Sequence, residues 1–134
     1  MTVKAVANLA IKVSDLESAC AFYERAGGVV TNKIQWEGSL RADVALGALS
    51  LTLFTRAIYE DIIDLPDEGF LHPALFTDDL DQELEGHDVV FGPVVVSGPF
   101  GTRRIAFVAA PGGMRLEFME QITQARDEPE ENSV

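Results

Sequence analysis

One pattern occurs twice in this chain, and it limits the fold more than any other feature of the sequence. Asn8-Leu-Ala-Ile-Lys-Val-Ser-Asp-Leu-Glu17 returns as His72-Pro-Ala-Leu-Phe-Thr-Asp-Asp-Leu-Asp81. Each copy runs from a polar residue through an apolar stretch to a helix-capping group and Asp-Leu-acid. The offset, 72 − 8, is 64 residues, and Leu51-Thr-Leu-Phe54 returns as Leu116-Glu-Phe-Met119 at 116 − 51, or 65. Near-constant spacing over two pairs marks a duplicated supersecondary unit. Two such halves, each presenting a concave sheet face, are expected to share a pocket. Function then turns on which side chains point into it.

At 134 residues the chain is long enough for one domain with a real core. No apolar run approaches the ~20 residues of a membrane helix. Lys12 interrupts the apolar N-terminal stretch, so neither a signal peptide nor a membrane partner is expected. A single cysteine, Cys20, allows no internal disulfide and points to the cytoplasm. The net charge of −12 argues against nucleic acid, which needs a basic surface. It permits a cationic ligand, and it also keeps a soluble chain dispersed. Part of the charge lies in the tail 123–134, rich in acid and poor in anything to bury, which is expected to be disordered.

Each half reads strand, helix, then three strands. Val3 to Val13 alternates, with Leu9, Ile11 and Val13 on one face and Asn8, Ala10 and Lys12 on the other. Ser14-Asp-Leu-Glu17 reads as a capping box. Leu16, Ala19, Cys20, Phe22, Tyr23 and Ala26 then form an apolar helical stripe that ends at Gly27-Gly28. Cys20 on that stripe is a buried small hydrophobe. Residues 29–55 divide into three strands at Glu37-Gly38 and Gly47. In the second half Pro73 weakens the strand 70–77 and predicts a strand start or edge. Asp78 is the expected cap of a short helix closed by Gly86. The arrangement is α+β, two βαβββ modules (1–56 and 70–122, linker 57–69) within one domain, 1–122.

In each module the helix should cover one face of its sheet. Leu9, Leu51, Leu116 and Phe118 face the helices, which turns the opposite residues into the concave side. Four polar positions related by the repeat converge there: Asn8, Thr52, His72 and Glu117. Ala10, Phe54, Ala74, Phe76 and Met119 line the walls, and Arg115 and Trp36 lie within reach. Apolar walls with a few placed polar groups describe a small-molecule site. His87, in the turn after Gly86, is expected to be solvated.

On these residues the chain resembles the vicinal oxygen chelate superfamily of glyoxalases, methylmalonyl-CoA epimerases, extradiol dioxygenases and bleomycin-binding proteins. The matching segments are Asn8 to Tyr23, His72 to Leu80, and Arg104 to Glu120 with Pro111-Gly-Gly113. The resemblance implies the glyoxalase/bleomycin-resistance fold, with the two modules forming a U-shaped mixed sheet around a central cavity, and a homodimer. It also implies one metal ligand at each of the four positions, usually His, a Glu-like residue, His and Glu. Here only His72 and Glu117 match. Asn8 and Thr52 replace a histidine and a carboxylate or amide, and a neutral amide or hydroxyl is a poor ligand for a first-row metal. No tightly bound cofactor is expected; a divalent metal at His72 and Glu117 would be held weakly.

Two functions follow. The first expectation is a small-molecule binding protein with a degenerate metal site, sequestering a drug or metabolite. There Asn8, Thr52, His72, Arg115 and Glu117 supply hydrogen bonds, and Phe54, Phe76, Met119 and Trp36 pack on the ligand. The alternative is an epimerase, isomerase or lyase acting through an enediolate-type intermediate. Its catalytic residues are His72 and Glu117, with metal or as an acid–base pair.

Overall fold

The structure, a computed structural model, describes residues 3–61 and 64–123. From residue 124 the acidic tail lies outside the described residues. In chain order the elements are β1 (Val3–Lys12), α1 (Leu16–Arg25), β2 (Val29–Trp36), β3 (Ser39–Leu46), β4 (Leu49–Phe54), β5 (Gly69–Thr77), α2 (Leu80–Leu84), β6 (Val89–Gly98), β7 (Gly101–Ala110) and β8 (Met114–Thr123). A 3-10 turn, Pro111–Gly113, joins the last two strands. The fold is α+β, with the strand–helix–three-strand order running twice and both parallel and antiparallel ladders. Contacts divide the chain into two compact units, Ala7–Ala74, and the described parts of Met1–Val6 and Leu75–Val134. The division falls inside β1 and inside β5.

In the unit Ala7–Ala74 the strands run β2-β3-β4-β1. β1 and β4 are parallel, with Leu9 opposite Leu51 and Ala10 opposite Thr52. Residues level with each other share a face. Leu51, Leu53, Ala42 and Val44 pack with Leu16 and Cys20 of α1, and Leu9, Ile11 and Tyr23 border that core. The alternation therefore works as expected, and Asn8, Ala10, Thr52 and Phe54 occupy the opposite face. The helix stripe is narrower than its sequence reads. Phe22 is 57% exposed and meets Tyr23 edge-on at 5.2 Å between ring centroids. Leu16, Cys20 and Tyr23 follow the helical repeat, whereas position 22 is rotated about 100° from position 23. Gly27 and Gly28 end α1 in a Schellman motif, Gly28 N donating to the Tyr23 carbonyl at 2.8 Å and Gly27 N to that of Glu24 at 3.0 Å. The β2–β3 hairpin turns on Glu37 (φ 51°) and Gly38 (φ 73°), the two left-handed positions of a type I′ turn.

Both helix caps differ from expectation by one residue. Asp15, not Ser14, caps α1, accepting from Ser18 N at 3.2 Å. Ser14 instead donates its hydroxyl and its amide to Glu68, at 2.6 and 3.0 Å, and Glu17 pairs with Lys33. Asp79, not Asp78, caps α2, accepting from Gln82 N at 3.0 Å, while Asp78 pairs with Lys4. Adjacent acceptors compete for one capping position, and distant partners decide the outcome.

In the second unit the strands run β5-β8-β7-β6. Leu80 of α2 packs with Ala106, Val108 and Phe118, bordered by Val3, Leu75, Leu84 and Leu116. Pro73 lies in the middle of β5, not at its start, one residue before the boundary at Ala74. β6 is one strand with a bulge. Its register slips between Phe91 and Val94, around Gly92. A Cβ on Gly92 would lie 2.8 Å from the Ile105 carbonyl oxygen, so no larger residue fits that approach. Among the described residues no helix is long and apolar enough to cross a membrane.

Candidate functional site

The unit Ala7–Ala74 holds five of the sequence-derived site residues: Asn8, Trp36, Thr52, Phe54 and His72. Thr52 lies between Ala10 on β1 and Asp43 on β3. Its hydroxyl donates to Asp43 Oδ1 at 3.2 Å. Asp43 Oδ2 accepts from Asn32 at 2.9 Å, and Arg41 approaches Oδ1 at 3.4 Å. Asn8 is half-buried on the same face as Ala10, diagonal to Thr52 and about 8 Å from it at Cα by strand geometry. The hydroxyl is thus engaged by Asp43 across the ladder.

Trp36 reaches this face through an irregularity. Val30 faces the α1 core. Strict alternation would put Trp36 there too. The β2–β3 register slips between Thr31 and Ile34, where Asn32 takes φ 53°. The extra residue reverses the parity. Trp36 then shares the face of Arg41, whose guanidinium lies 5.3 Å from the centre of the indole.

His72 is 4% exposed. Leu75 on the same strand borders the α2 core, so alternation turns His72, Ala74 and Phe76 to the other face. The Nδ1 of His72 lies 3.0 Å from the hydroxyl of Tyr59, itself 1% exposed. Tyr59 is held by a tight turn. Ala57 N donates to Glu60 Oε1 at 2.8 Å, Glu60 N donates to the Ala57 carbonyl at 3.1 Å, and Lys12 Nζ reaches Glu60 Oε2 at 2.7 Å. Burial pushes the Glu60 carboxyl up. The Lys12 hydrogen bond, the Ala57 amide and the Lys12 and Arg56 charges outweigh it and hold the carboxyl below its ordinary value. The hydroxyl and amide of Ser14 do the same for Glu68. Folded-state values below the unfolded ones stabilise the fold above the unfolded pKa, and this stability is lost as pH falls through the folded value. Resistance to thermal unfolding is therefore expected to fall from about pH 4.5 downward. Glu60→Gln protein should start less stable at neutral pH and show a shallower acid limb. An identical limb would remove Glu60 from the acid response.

The second unit holds Phe76, Arg115, Glu117 and Met119. Leu116 and Phe118 face the α2 core, so Arg115, Glu117 and Met119 share the opposite face. Glu117 is half-buried and level with Phe107 on β7, as Met119 is with Ile105. Arg103 stands on the same face. Its guanidinium lies 5.2 Å from the Phe76 ring and 4.6 Å from that of Phe100, and its Nε donates to Gln121 at 2.7 Å. The repeat survives in register: Thr52 faces Asp43, and Glu117 faces Phe107, so the site positions lie 65 residues apart and their partners 64 (117 − 52; 107 − 43).

Sequence reasoning missed Asp43, Arg103 and Tyr59. Alternation in Ser39–Leu46 carried a signal for Asp43, because Arg41 and Asp43 alternate with the apolar Leu40, Ala42 and Val44. Tyr59 lies in a connection, where no periodicity applies. His87 is exposed as expected, with its ring 5.6 Å from that of Phe118. Cys20 is buried among apolar residues, and burial raises its thiol pKa.

The donor set does not suit a resident divalent metal. Asn8 and Thr52 are neutral, and the Thr52 hydroxyl is already bonded to Asp43. Among the described residues no three His, Cys, Asp or Glu side chains group as a metal site. Protein purified without chelator and titrated with Zn, Mn, Ni and Fe is expected to retain no stoichiometric metal. One tightly held equivalent per chain would overturn that reading of the donors.

No family model matches the chain, and no curated protein matches it. Solved structures do. Methylmalonyl-CoA epimerase from Mycobacterium tuberculosis superposes with a TM-score of 0.70 at 22% identity, covering 91% of each chain. A glyoxalase/bleomycin resistance protein/dioxygenase superfamily member from Vibrio splendidus gives 0.61 at 14% identity, over 90% of this chain and 100% of that one. The Mn(II)-bound glyoxalase from Novosphingobium aromaticivorans gives 0.61 at 19% identity, over 96% of this chain and 43% of that one. The fold is that of the vicinal oxygen chelate proteins, the glyoxalase/bleomycin-resistance fold.

Proposed function

We propose that this protein is an enzyme of the epimerase or isomerase kind, moving a proton on carbon next to a carbonyl. His72 and Glu117 are its acid–base residues. The observation that carries this reading is His72 itself, an almost fully buried imidazole held through Nδ1 by a buried phenol. Proton transfer needs an imidazole held in a fixed orientation. Arg115, beside Glu117 on β8, is the cation for a developing enolate or a substrate carboxylate. Phe76 and Met119, on the same face as Glu117, keep water from the reacting carbon.

The structural neighbours support a 2-substituted acyl thioester as the substrate class. They include a methylmalonyl-CoA epimerase in complex with methylmalonyl-CoA and NH4+, at 21% identity and a TM-score of 0.67. The protein is further read as a cytoplasmic homodimer acting on this small molecule. The test is deuterium uptake at the α-carbon of a panel of 2-substituted acyl-CoA thioesters and 2-oxo acids in D2O. Catalysed exchange is the expected result. Saturable binding without exchange would favour the second reading, a metal-free sequestering protein. That reading is supported by the neutral Asn8 and Thr52 and by the stacked Trp36–Arg41 pair.

A further inference from the structure

His72 is 4% exposed, and Tyr59 beside it is 1% exposed. A side chain buried so deeply cannot touch a ligand arriving from solvent until a covering group moves aside. Within the unit Ala7–Ala74 a covering group is in place, on the connection between β4 and β5. The turn Ala57–Glu60 lays Tyr59 against the imidazole, with 3.0 Å between hydroxyl and Nδ1 and 5.9 Å between ring centroids.

The turn is held down by charge. Glu60 does two things at once. Its Oε1 accepts from the Ala57 amide at 2.8 Å and closes the turn, and its Oε2 accepts from Lys12 Nζ at 2.7 Å. Lys12 belongs to β1, level with Phe54, and its side chain is only 9% exposed. An ion pair attracts strongly while it is dry and far more weakly once water reaches it. Such a pair favours two states, shut and open, with little between them. The chain just before the turn is fixed to β3, with Thr55 N donating to the Leu40 carbonyl and Arg56 N to Ser39 Oγ, each at 3.0 Å. A hinge between Arg56 and Ala57 would therefore leave the sheet undisturbed.

We propose that Ala57–Glu60 is a strap over His72, latched by the Lys12–Glu60 pair, and that it opens to admit the ligand. The inference rests on the proposed function only in taking His72 as a residue that meets the ligand, and it adds that the meeting is gated. Shut, the strap buries ammonium, phenol and imidazole together. Open, it returns Lys12 and Glu60 to water and uncovers the imidazole. The apparent affinity for a ligand is then lowered by the fraction of molecules that stand open.

Tyr59 and His72 each make a further interaction, so the test loosens the turn at its latch and leaves both residues unaltered. Diethyl pyrocarbonate, which acylates neutral imidazole, reads access to His72 in the full chain without any ligand. Mass spectrometry separates the labelled sites, and exposed His87 is the internal reference. In the wild type His72 should react at least about tenfold more slowly than His87. Below the unfolding transition its rate should barely depend on urea, because opening one turn exposes little surface. Lys12→Met and Glu60→Gln should each raise the His72 rate several-fold and leave that of His87 unchanged. Three results would overturn the proposal: His72 reacting as fast as His87, a urea dependence as steep as that of global unfolding, or an unchanged rate in either variant. The wild-type urea dependence decides even where both variants misfold. Because no substrate is present, failure of the latch is distinguishable from failure of α-proton exchange.

Discussion

Glu117→Gln protein is expected to exchange the substrate α-proton about 10²–10⁴-fold more slowly than the wild type, the usual contribution of a positioned general base. The amide keeps the shape of the side chain but has no basic oxygen. Glu117 is half-buried, opposite Phe107 and one strand step from Met119, so the isostere should leave the fold intact. Deuterium uptake measures the rate, and an unchanged circular dichroism spectrum shows that folding is preserved. A variant that exchanges at the wild-type rate would take the base role away from Glu117.

Phe118→Ala is expected to cost about 3–5 kcal/mol, the range for emptying a buried phenylalanine site. That is a large share of the ~5–15 kcal/mol that holds a domain together. Phe118 is 2% exposed and packs with Leu80, Ala106 and Val108. Leu80 belongs to a helix of five residues, too short to persist without tertiary packing. Removing the ring therefore loosens α2 as well as opening a cavity. The midpoint of thermal unfolding should fall by roughly 10–20 °C. The control is Phe22→Ala, a change of the same chemistry at an exposed position. It should stay within about 0.5 kcal/mol, as surface substitutions do. Urea unfolding of both variants gives the comparison, and equal losses would mean that the assignment of the α2 core is wrong.

The contrast between the two phenylalanines shows how far pattern reading reaches. Both lie in apolar runs. Phe118 obeys the period of its strand and is buried. Phe22 belongs to the apolar helical run, but the buried stripe is only Leu16, Ala19, Cys20 and Tyr23 wide, so Phe22 points outward. The faces of Asn8, Thr52, His72 and Glu117 were legible because period two holds in β1, β4, β5 and β8. It fails in β2, where one left-handed residue, Asn32, moves Trp36 across the sheet. Nothing in the sequence alone distinguishes a bulged strand from a regular one there.

The duplication, the order of elements, the faces of β1, β4, β5 and β8 and the poverty of the metal donors all follow from the sequence by itself. They depend on spacing, handedness and residue chemistry, which act within a few positions along the chain. The caps, the engagement of Thr52 by Asp43 and the clamp on His72 were decided only by the tertiary structure. Each is a bond between groups far apart in sequence: Ser14 with Glu68, Lys12 with Glu60, Tyr59 with His72. Such bonds form only when packing brings their partners within about 3 Å, and no periodicity along the chain encodes that meeting.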